Sequence, residues 1–323
     1  VSTTKTSAYF AWAVHDGNVA AIPLPAADVV VNFGSLPLFA WMNDADWLKL
    51  NNSSPDRITT ADMDGNGEDD VIADFDSTLG GIFVKFNLGG WTQLANVASE
   101  QMTSGDLDNN GQDDVVIDAG AAGLWARMNN TSWLKLNNAS PEQVVVGDMD
   151  NNGADDVIGD FGVNGIFVKR NLGAWVKLHN SNPEDMTIGN LDNAAGDDLV
   201  VDFGAGLALW ARMNDSNWLK LNNNSPDVMT TGDVDGNGAD DVLAGFGTTI
   251  GGFWQKLNLG GWSQLNGNSP DDVVTADVTG NGQDDIVADF GSTIGGLFIK
   301  RDQGAWVKQH NTSPDSMAPG VLD

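Results

Sequence analysis

The segment DMDGNGEDDVIADF, residues 62–75, joins a strongly acidic turn to a short apolar run, and the same combination recurs along the chain. Its first nine residues carry five acidic side chains, one Asn and two Gly. Like charges that are crowded into one tight turn repel each other. The loop is therefore expected to be stable only when a positive charge sits inside it.

The chain repeats this segment with a period of 42–44 residues. A Trp opens a short run such as WLKLN or WVKLH in seven copies, at Trp47, Trp91, Trp133, Trp175, Trp218, Trp262 and Trp306. Such a period is typical of propellers or solenoids. Each copy holds four short runs bounded by Gly, Asn or Pro, which read as strands. The sequence therefore predicts an all-β fold, a seven-bladed β-propeller of four-stranded blades, over residues 26–323.

The two chain ends are out of phase with the repeat. The N-terminal part of the propeller supplies the second, third and fourth strands of one blade, while SPDSMAPGVLD, residues 313–323, supplies a first strand. Pairing of the N- and C-terminal segments is predicted to close the ring, which removes an open sheet edge. The segment AVHDGN, residues 13–18, is a second candidate for the closing strand.

Residues 1–25 differ from the repeats and contain the only Tyr of the chain. Their apolar residues around an Asp-Gly-Asn turn predict a β-hairpin extension. The hairpin either packs on the rim of the propeller or exchanges with another chain in a homo-oligomer.

Composition excludes several function classes. The 45 acidic residues against 15 basic ones give a net charge of −30, which disfavours nucleic acid and anionic membranes as partners. No apolar run is long enough for membrane insertion. The absence of Cys excludes disulfides, thiolate catalysis and Cys-ligated zinc. His15, His179 and His310 are isolated from any catalytic motif, so we expect no enzymatic activity.

Acidic and amide side chains alternate along each nonapeptide loop. Positions 1, 3, 5 and 9, together with the carbonyl of position 7, form an oxygen cage, and Gly at position 4 or 6 permits the sharp turn. Ca²⁺ takes six to eight oxygen ligands, whereas Mg²⁺ keeps its waters. The sequence therefore predicts Ca²⁺ as the bound cofactor, and the apolar residue at position 2 is expected to point into the blade.

The repeated loops resemble those of the FG-GAP/VCBS repeat family, known from integrin α-chain propellers and from propeller lectins. The resemblance covers nearly the whole chain from about residue 26 and implies calcium binding at positions 1, 3, 5, 7 and 9 of four intact loops. The implied metal residues are Asp62, Asp64, Asn66, Glu68 and Asp70; Asp106, Asp108, Asn110, Gln112 and Asp114; Asp148, Asp150, Asn152, Ala154 and Asp156; and Asp233, Asp235, Asn237, Ala239 and Asp241.

Two further loops depart from the pattern, and each loses one formal charge. The fourth loop has Asn190 at position 1 and Ala194 at position 5, and the sixth has Thr279 at position 3. Weaker metal sites are therefore expected at Asn190, Asp192 and Asp198, and at Asp277, Asn281 and Asp285. The seventh copy has Val321 where the first Asp belongs, so its blade is expected to lack metal.

The Trp residues that open the fourth strands have two interpretations. Packing between neighbouring blades is favoured, and stacking platforms for sugars are the alternative.

The third strands alternate between LWARMN-type and IFVKFN-type runs, and the copies with GGFWQKLN and GGLFIKRD are adjacent members of the second type.

Function divides between three classes of protein, of which an enzyme is the least favoured. A secreted, non-enzymatic binding module for a glycan or an extracellular protein is favoured, and a structural or adhesive subunit associating through residues 1–25 is the alternative. Calcium loops of this kind suit extracellular calcium concentrations, and the lack of Cys suits a bacterial surface or secreted protein. Any ligand is expected on the face opposite the acidic loops, where the NNSSPD-type and FDSTLGG-type turns lie.

Overall fold

A computed structural model describes residues 25–194, 196–247 and 250–323. These residues form seven antiparallel sheets of four strands each. The first strands of neighbouring sheets contact one another all the way around a central axis, so each sheet is one blade of a closed ring. The predicted seven-bladed β-propeller is confirmed.

Blades 2 to 7 each take their four strands from consecutive chain, in the order first (innermost) to fourth (outermost). The strands of blades 2 to 4 are β4 (Arg57–Ala61), β5 (Asp70–Asp74), β6 (Ile82–Lys85) and β7 (Trp91–Ala95); β8 (Gln101–Gly105), β9 (Asp114–Asp118), β10 (Leu124–Met128) and β11 (Ser132–Asn137); and β12 (Gln143–Gly147), β13 (Asp156–Asp160), β14 (Ile166–Lys169) and β15 (Trp175–His179). The strands of blades 5 to 7 are β16 (Asp185–Gly189), β17 (Asp198–Asp202), β18 (Leu209–Met213) and β19 (Asn217–Lys220); β20 (Val228–Gly232), β21 (Asp241–Gly245), β22 (Phe253–Lys256) and β23 (Trp262–Asn266); and β24 (Asp272–Ala276), β25 (Asp285–Asp289), β26 (Leu297–Lys300) and β27 (Trp306–His310).

Blade 1 is built from both ends of the described chain. Its strands are β28 (Ser316–Gly320), β1 (Asp28–Asn32), β2 (Leu38–Met42) and β3 (Asp46–Asn51). Strand β28 pairs antiparallel with β1, with Val30 opposite Ala318. This pairing confirms the predicted closure by the C-terminal segment. The predicted hairpin and the alternative closing segment, residues 13–18, lie outside the described residues, and the domain boundary near residue 26 stays a prediction.

In the part of the chain that the structure describes, helical structure is confined to single turns in the loops. The short helices are α1 (Gly204–Leu207), a π-helical turn at Gly291–Gly295, and 3₁₀ turns at Phe86–Leu88, Gly120–Ala122, Gly162–Asn164, Arg170–Leu172 and Leu257–Leu259. Within the ranges that the structure describes, none of these is long and apolar enough to span a membrane.

The hydrophobic cores lie between the blades rather than within them. All five residues of each second strand are buried, since this strand is covered on both sides by neighbouring blades. Successive side chains of a strand point to opposite faces. Val71 therefore packs against blade 1, while the next residue, Ile72, packs against blade 3. This two-sided burial explains the continuous apolar runs such as VIA and VVI.

The repeated Trp residues fill the gaps between the outer parts of the blades. Trp91 packs in the core between blades 1 and 2, and its indole N–H donates to the carbonyl of Leu50 at 3.1 Å. Trp175, Trp262 and Trp306 make the same bond to a Leu carbonyl of the preceding blade. The interpretation of these residues as inter-blade packing is confirmed.

Removing residues 316–323 is expected to lower the melting temperature far more than removing residues 1–24. The C-terminal deletion exposes the edge of β1, whose residues Val29, Val30 and Val31 are completely buried, and an open edge favours aggregation. Thermal unfolding and size-exclusion chromatography of the two truncations measure the difference. An N-terminal truncation that fails to fold would contradict closure by β28.

Candidate functional site

The acidic loops all lie at one end of the blades, and we call this end the acidic-loop face. Each loop connects a first to a second strand, and it contacts the turn between the third and fourth strands of its own blade. The amide N–H of Asn87 in such a turn donates to the Asp70 carboxylate at 2.9 Å. The remaining loops lie on the opposite face, as in the bond from the Ser77 amide to Asp56. The predicted sorting of loops onto two faces is confirmed.

The first Asp of each intact loop organises the turn itself. In the first loop, Oδ1 of Asp62 accepts hydrogen bonds from the amides of Gly65 and Asn66 at 2.8 and 3.0 Å, and Oδ2 accepts one from Gly67 at 2.8 Å. Positive φ angles of 73° and 92° at the two glycines turn these amides inward. Asp106, Asp148, Asp233 and Asp277 accept the equivalent bonds at positions 5 and 6.

The ninth residue of each loop is a completely buried Asp that begins the second strand. In the first loop Oδ2 of Asp70 accepts the amide of Met63. The Met63 side chain is buried, as expected of an apolar residue at position 2, but it packs between blades 2 and 3 and not into its own blade. In three other loops the corresponding oxygen lacks such a bond. The Oδ2 atoms of Asp156, Asp241 and Asp285 are buried and accept no hydrogen bond from any described residue.

Three carboxylates converge most closely in two of the loops. In the second loop the group is Asp106, Asp108 and Asp114, and in the fifth it is Asp233, Asp235 and Asp241. Within each group one carboxylate oxygen from every residue lies within 4.8 Å of the others. Both groups belong to the four loops predicted to be intact.

Burial raises the pKa of the ninth-position carboxyls. The pKa reaches about 7 for Asp70, Asp156 and Asp241, and about 6 for Asp114 and Asp285. Loss of water contact is the largest cause, and the neighbouring carboxylates raise the pKa further because like charges disfavour ionisation.

A residue from the third-to-fourth strand turn joins each loop, and the sequence analysis missed it. Asn87 Nδ2 donates to Asp64 at 2.8 Å, so this turn contacts both position 3 and position 9. The equivalent residues are Asn43, Asn129, Asn171, Asn214, Asn258 and Asp302. Their recurrence 15–17 residues after each ninth-position Asp was the available signal.

The two degraded loops differ from each other. In the fourth loop the Asn190 amide bonds to the Ala194 carbonyl at 2.8 Å, so the side chain closes the loop on itself. In the sixth loop Asp302 occupies the turn position that is Asn elsewhere, and its amide donates to Asp285 at 2.9 Å. The Asp302 carboxylate accepts a hydrogen bond from Asn281 at position 5, so it lies beside the loop in which Thr279 replaces an acid.

The closing blade has a partial loop. Asp323 accepts a hydrogen bond from the Asn43 side chain and so corresponds to the third-position Asp of the other loops. Asp28 accepts the backbone amides of Asn43 and Leu322 and so corresponds to the ninth-position Asp. Val321 contributes no carboxylate.

The eighth residue of each loop contacts the preceding blade, whereas the ninth contacts its own blade. Asp155 accepts the amide of Asp106 at 2.9 Å and donates its own amide to the Asp106 carbonyl at 2.8 Å. The same pair of bonds links each blade to the one before it, at Asp69–Val321, Asp113–Asp62, Asp197–Asp148, Asp240–Asn190 and Asp284–Asp233. We call these contacts the inter-blade clamps. At the interface between blades 7 and 1 only the backbone bond of the clamp is present, and the Ala27 amide donates it to the Asp277 carbonyl.

The clamps depend on a small residue at the end of the first strand. A Cβ atom at Gly105 would lie 2.3 Å from Oδ2 of Asp155, so this carboxylate would have to shift to admit a side chain there. Burial raises the pKa of Asp155 to about 7.

The adjacent acids at positions 8 and 9 point in opposite directions. The carboxylate at position 8 faces the neighbouring blade and the one at position 9 faces its own loop, so the two do not form a catalytic pair.

Two clefts on the opposite face occupy equivalent places in blades 5 and 6. The first, of 430 Å³, is lined by Glu184, Ser225 and Asp227, and the second, of 540 Å³, by Asp227, Asn268 and Asp271. Each cleft lies beside the last acid of two successive NNSSPD-type turns, and Asp227 lines both. Their walls offer carboxylate, amide and hydroxyl groups.

No protein-family model and no curated protein matches the sequence. Solved structures do match. A lectin from Agrocybe aegerita, described as recognising non-reducing terminal N-acetylglucosamine, is similar with a TM-score of 0.68 at 15% identity, covering 93% of this chain and 96% of the lectin. The BP39L lectin from Burkholderia pseudomallei has a TM-score of 0.62 at 12% identity, covering 91% and 96% of the two chains.

A third similar structure is BBS1N in complex with ARL6DN, with a TM-score of 0.54, 11% identity and 85% coverage of each chain. At these identities the similarity establishes the propeller fold and no more. Two of these three structures are lectins.

Replacing Asp155 with Ala is expected to lower the free energy of unfolding by roughly 1–3 kcal/mol, because the Asp106 amide loses its buried acceptor. Asp155→Asn keeps an oxygen in the same place and is expected to cost much less. Glu68→Ala is the control, since Ala154 and Ala239 occupy that loop position naturally. Urea unfolding of the three variants measures the differences, and equal effects of Ala and Asn would contradict the clamp.

Proposed function

We propose that the chain is a secreted, non-enzymatic, calcium-stabilised propeller that binds carbohydrate on the face opposite the acidic loops. The observation that carries the proposal is the pair of equivalent polar clefts in blades 5 and 6. The similarity of the fold to two lectins supports it.

The chemistry of the clefts suits a sugar. Asp227 and Asp271 present carboxylate oxygens that accept hydrogen bonds from hydroxyl groups, while Asn268 both donates and accepts. Hydrogen bonds to a charged acceptor are about twice as strong as neutral ones. Because the NNSSPD-type turns place an acid at the same position in every blade, a branched glycan could contact more than one cleft, which raises avidity without new contacts.

The acidic loops suit calcium. The second and fifth loops each bring three carboxylates together. The buried Oδ2 atoms of Asp156 and Asp285 accept no hydrogen bond from the described chain, which leaves them free to ligate a cation. All these ligands are oxygens, which matches the preference of Ca²⁺. Bound calcium would hold the loops in place, and extracellular calcium would keep such sites filled.

The proposal extends to the degraded loops. Asp302 supplies the sixth loop with a third carboxylate beside Asp277 and Asp285, so this loop is proposed to bind calcium more strongly than its sequence alone implied. The fourth loop, with Asn190 turned back on its own backbone, is proposed to bind more weakly.

Asp227→Ala is expected to weaken glycan binding by about tenfold or more, because this carboxylate lines both clefts and a hydrogen bond to a charged group is lost. The measurement is a glycan array in calcium, followed by calorimetric titration with the best glycan. Asp76→Ala, which removes an exposed acid from the same face, is the control. A chain that binds no glycan and elutes as a large assembly would instead favour the structural or adhesive role.

Chelation of calcium is expected to lower the melting temperature sharply, and Ca²⁺ is expected to restore it better than Mg²⁺. Binding to the folded chain alone adds about 2.7 kcal/mol per site at a hundredfold excess over Kd. Asp235→Ala is expected to reduce the calcium-dependent shift more than Asp192→Ala, because only the first belongs to a convergent group. Differential scanning calorimetry measures these shifts. A melting curve that chelator leaves unchanged would contradict calcium binding.

A further inference from the structure

The interface between blades 2 and 3 contains an apolar cavity of 350 Å³ near the opposite face. Ala95 and Val97 of blade 2 line one side, and Ala119, Trp125 and Trp133 of blade 3 line the other. It is distinct from the polar clefts of blades 5 and 6, which lie on other blades and are lined by other residues.

At two other interfaces between blades, aromatic rings occupy the place that is equivalent to this cavity. At the blade 7–blade 1 interface the rings of Phe33 and His310 are 4.3 Å apart between centroids, and both contact Trp47. At the blade 4–blade 5 interface Phe203 and His179 are 4.5 Å apart, beside Trp218. Each interface thus contains a cluster of three rings.

The interface between blades 2 and 3 keeps the Trp of this cluster and lacks the other two rings. Trp133 is equivalent to Trp47 and Trp218, but Ala119 stands where blades 1 and 5 have Phe. Ala95, in blade 2, stands where blades 7 and 4 have His. In all six other blades the residue equivalent to Ala119 is Phe. Ile117 is larger than the equivalent Val31 and Val201, yet the cavity remains.

We propose that this cavity binds a small ligand through one aromatic ring, which takes the place of the missing Phe ring beside Trp133. The equivalent clusters define the shape, because each holds a six-membered ring against the same Trp. The cavity is open to solvent on one side, since Val97 in its wall is 43% exposed, and a ring seated in it would bury apolar surface against aliphatic and indole side chains. Aromatic pairs add attraction beyond the area that they bury.

The walls argue against a sugar in the cavity. The side chains that line it are aliphatic or indole, so the hydroxyl groups of a sugar that face the walls would find no hydrogen-bond partner there. The proposed ligand therefore differs in chemistry from the glycan proposed for the clefts, and the two sites are independent.

The test uses 4-fluorobenzyl alcohol as the probe and follows its ¹⁹F NMR signal on titration with the full chain. The expected result is saturable binding at one site. In the double variant Ala119→Phe, Ala95→His, which rebuilds the cluster of blades 1 and 5, binding is expected to weaken by about tenfold or more. Val163→Ala, in the corresponding loop of blade 4, is the control and leaves binding unchanged, because Val163 is exposed and lines no part of the cavity.

Thermal unfolding of the double variant checks that it folds, and a cooperative transition is expected because the added rings occupy the space of the cavity. Asp227→Ala is expected to bind the probe normally, which separates this site from the proposed glycan site. The proposal is overturned if the probe does not saturate, if the double variant binds it as well as the unmodified chain, or if monosaccharides displace it.

Discussion

The alternation of side chains along an extended backbone is the constraint on which the rest of this structure depends. Positions 8 and 9 of each acidic loop are adjacent, so their side chains point to opposite sides. Asp155 reaches the preceding blade and forms a clamp, while Asp156 turns into its own loop. One pair of adjacent acids therefore joins two blades and builds a polar loop. The same alternation continues into the second strand, where successive apolar residues supply two different cores.

The ring and the loops share residues. The first Asp of a loop holds the turn with its side chain, and its backbone takes part in the clamp with the next blade. The loop therefore adjoins the interface between blades, where apolar side chains are buried. Calcium bound as proposed would act on a residue that belongs to both the turn and the clamp.

Repetition also makes individual departures informative. Each blade is an internal reference for the others, so a substitution at one position can be compared with six equivalents. Asp302 replaces Asn in a turn and places a carboxylate beside Asn281, in the loop where Thr279 replaces an acid. Ala119 and Ala95 replace two rings and leave a cavity. The first pair of departures keeps the number of acids around one loop, while the second pair leaves open a place that rings fill in the clusters of Trp47 and Trp218.

The sequence alone determined the number of blades, the four strands of each blade and the acidic loops, because local strand and turn signals recur at a constant period. It also favoured closure by residues 313–323, since only that segment keeps the spacing. Other features depended on contacts between distant segments. The turn residues that complete the loops, the division of labour between Asp155 and Asp156, and the alignment of Ala95 with Ala119 required the tertiary structure. Each joins residues of different strands or different blades, and the period along the chain does not specify which side chains meet across a gap.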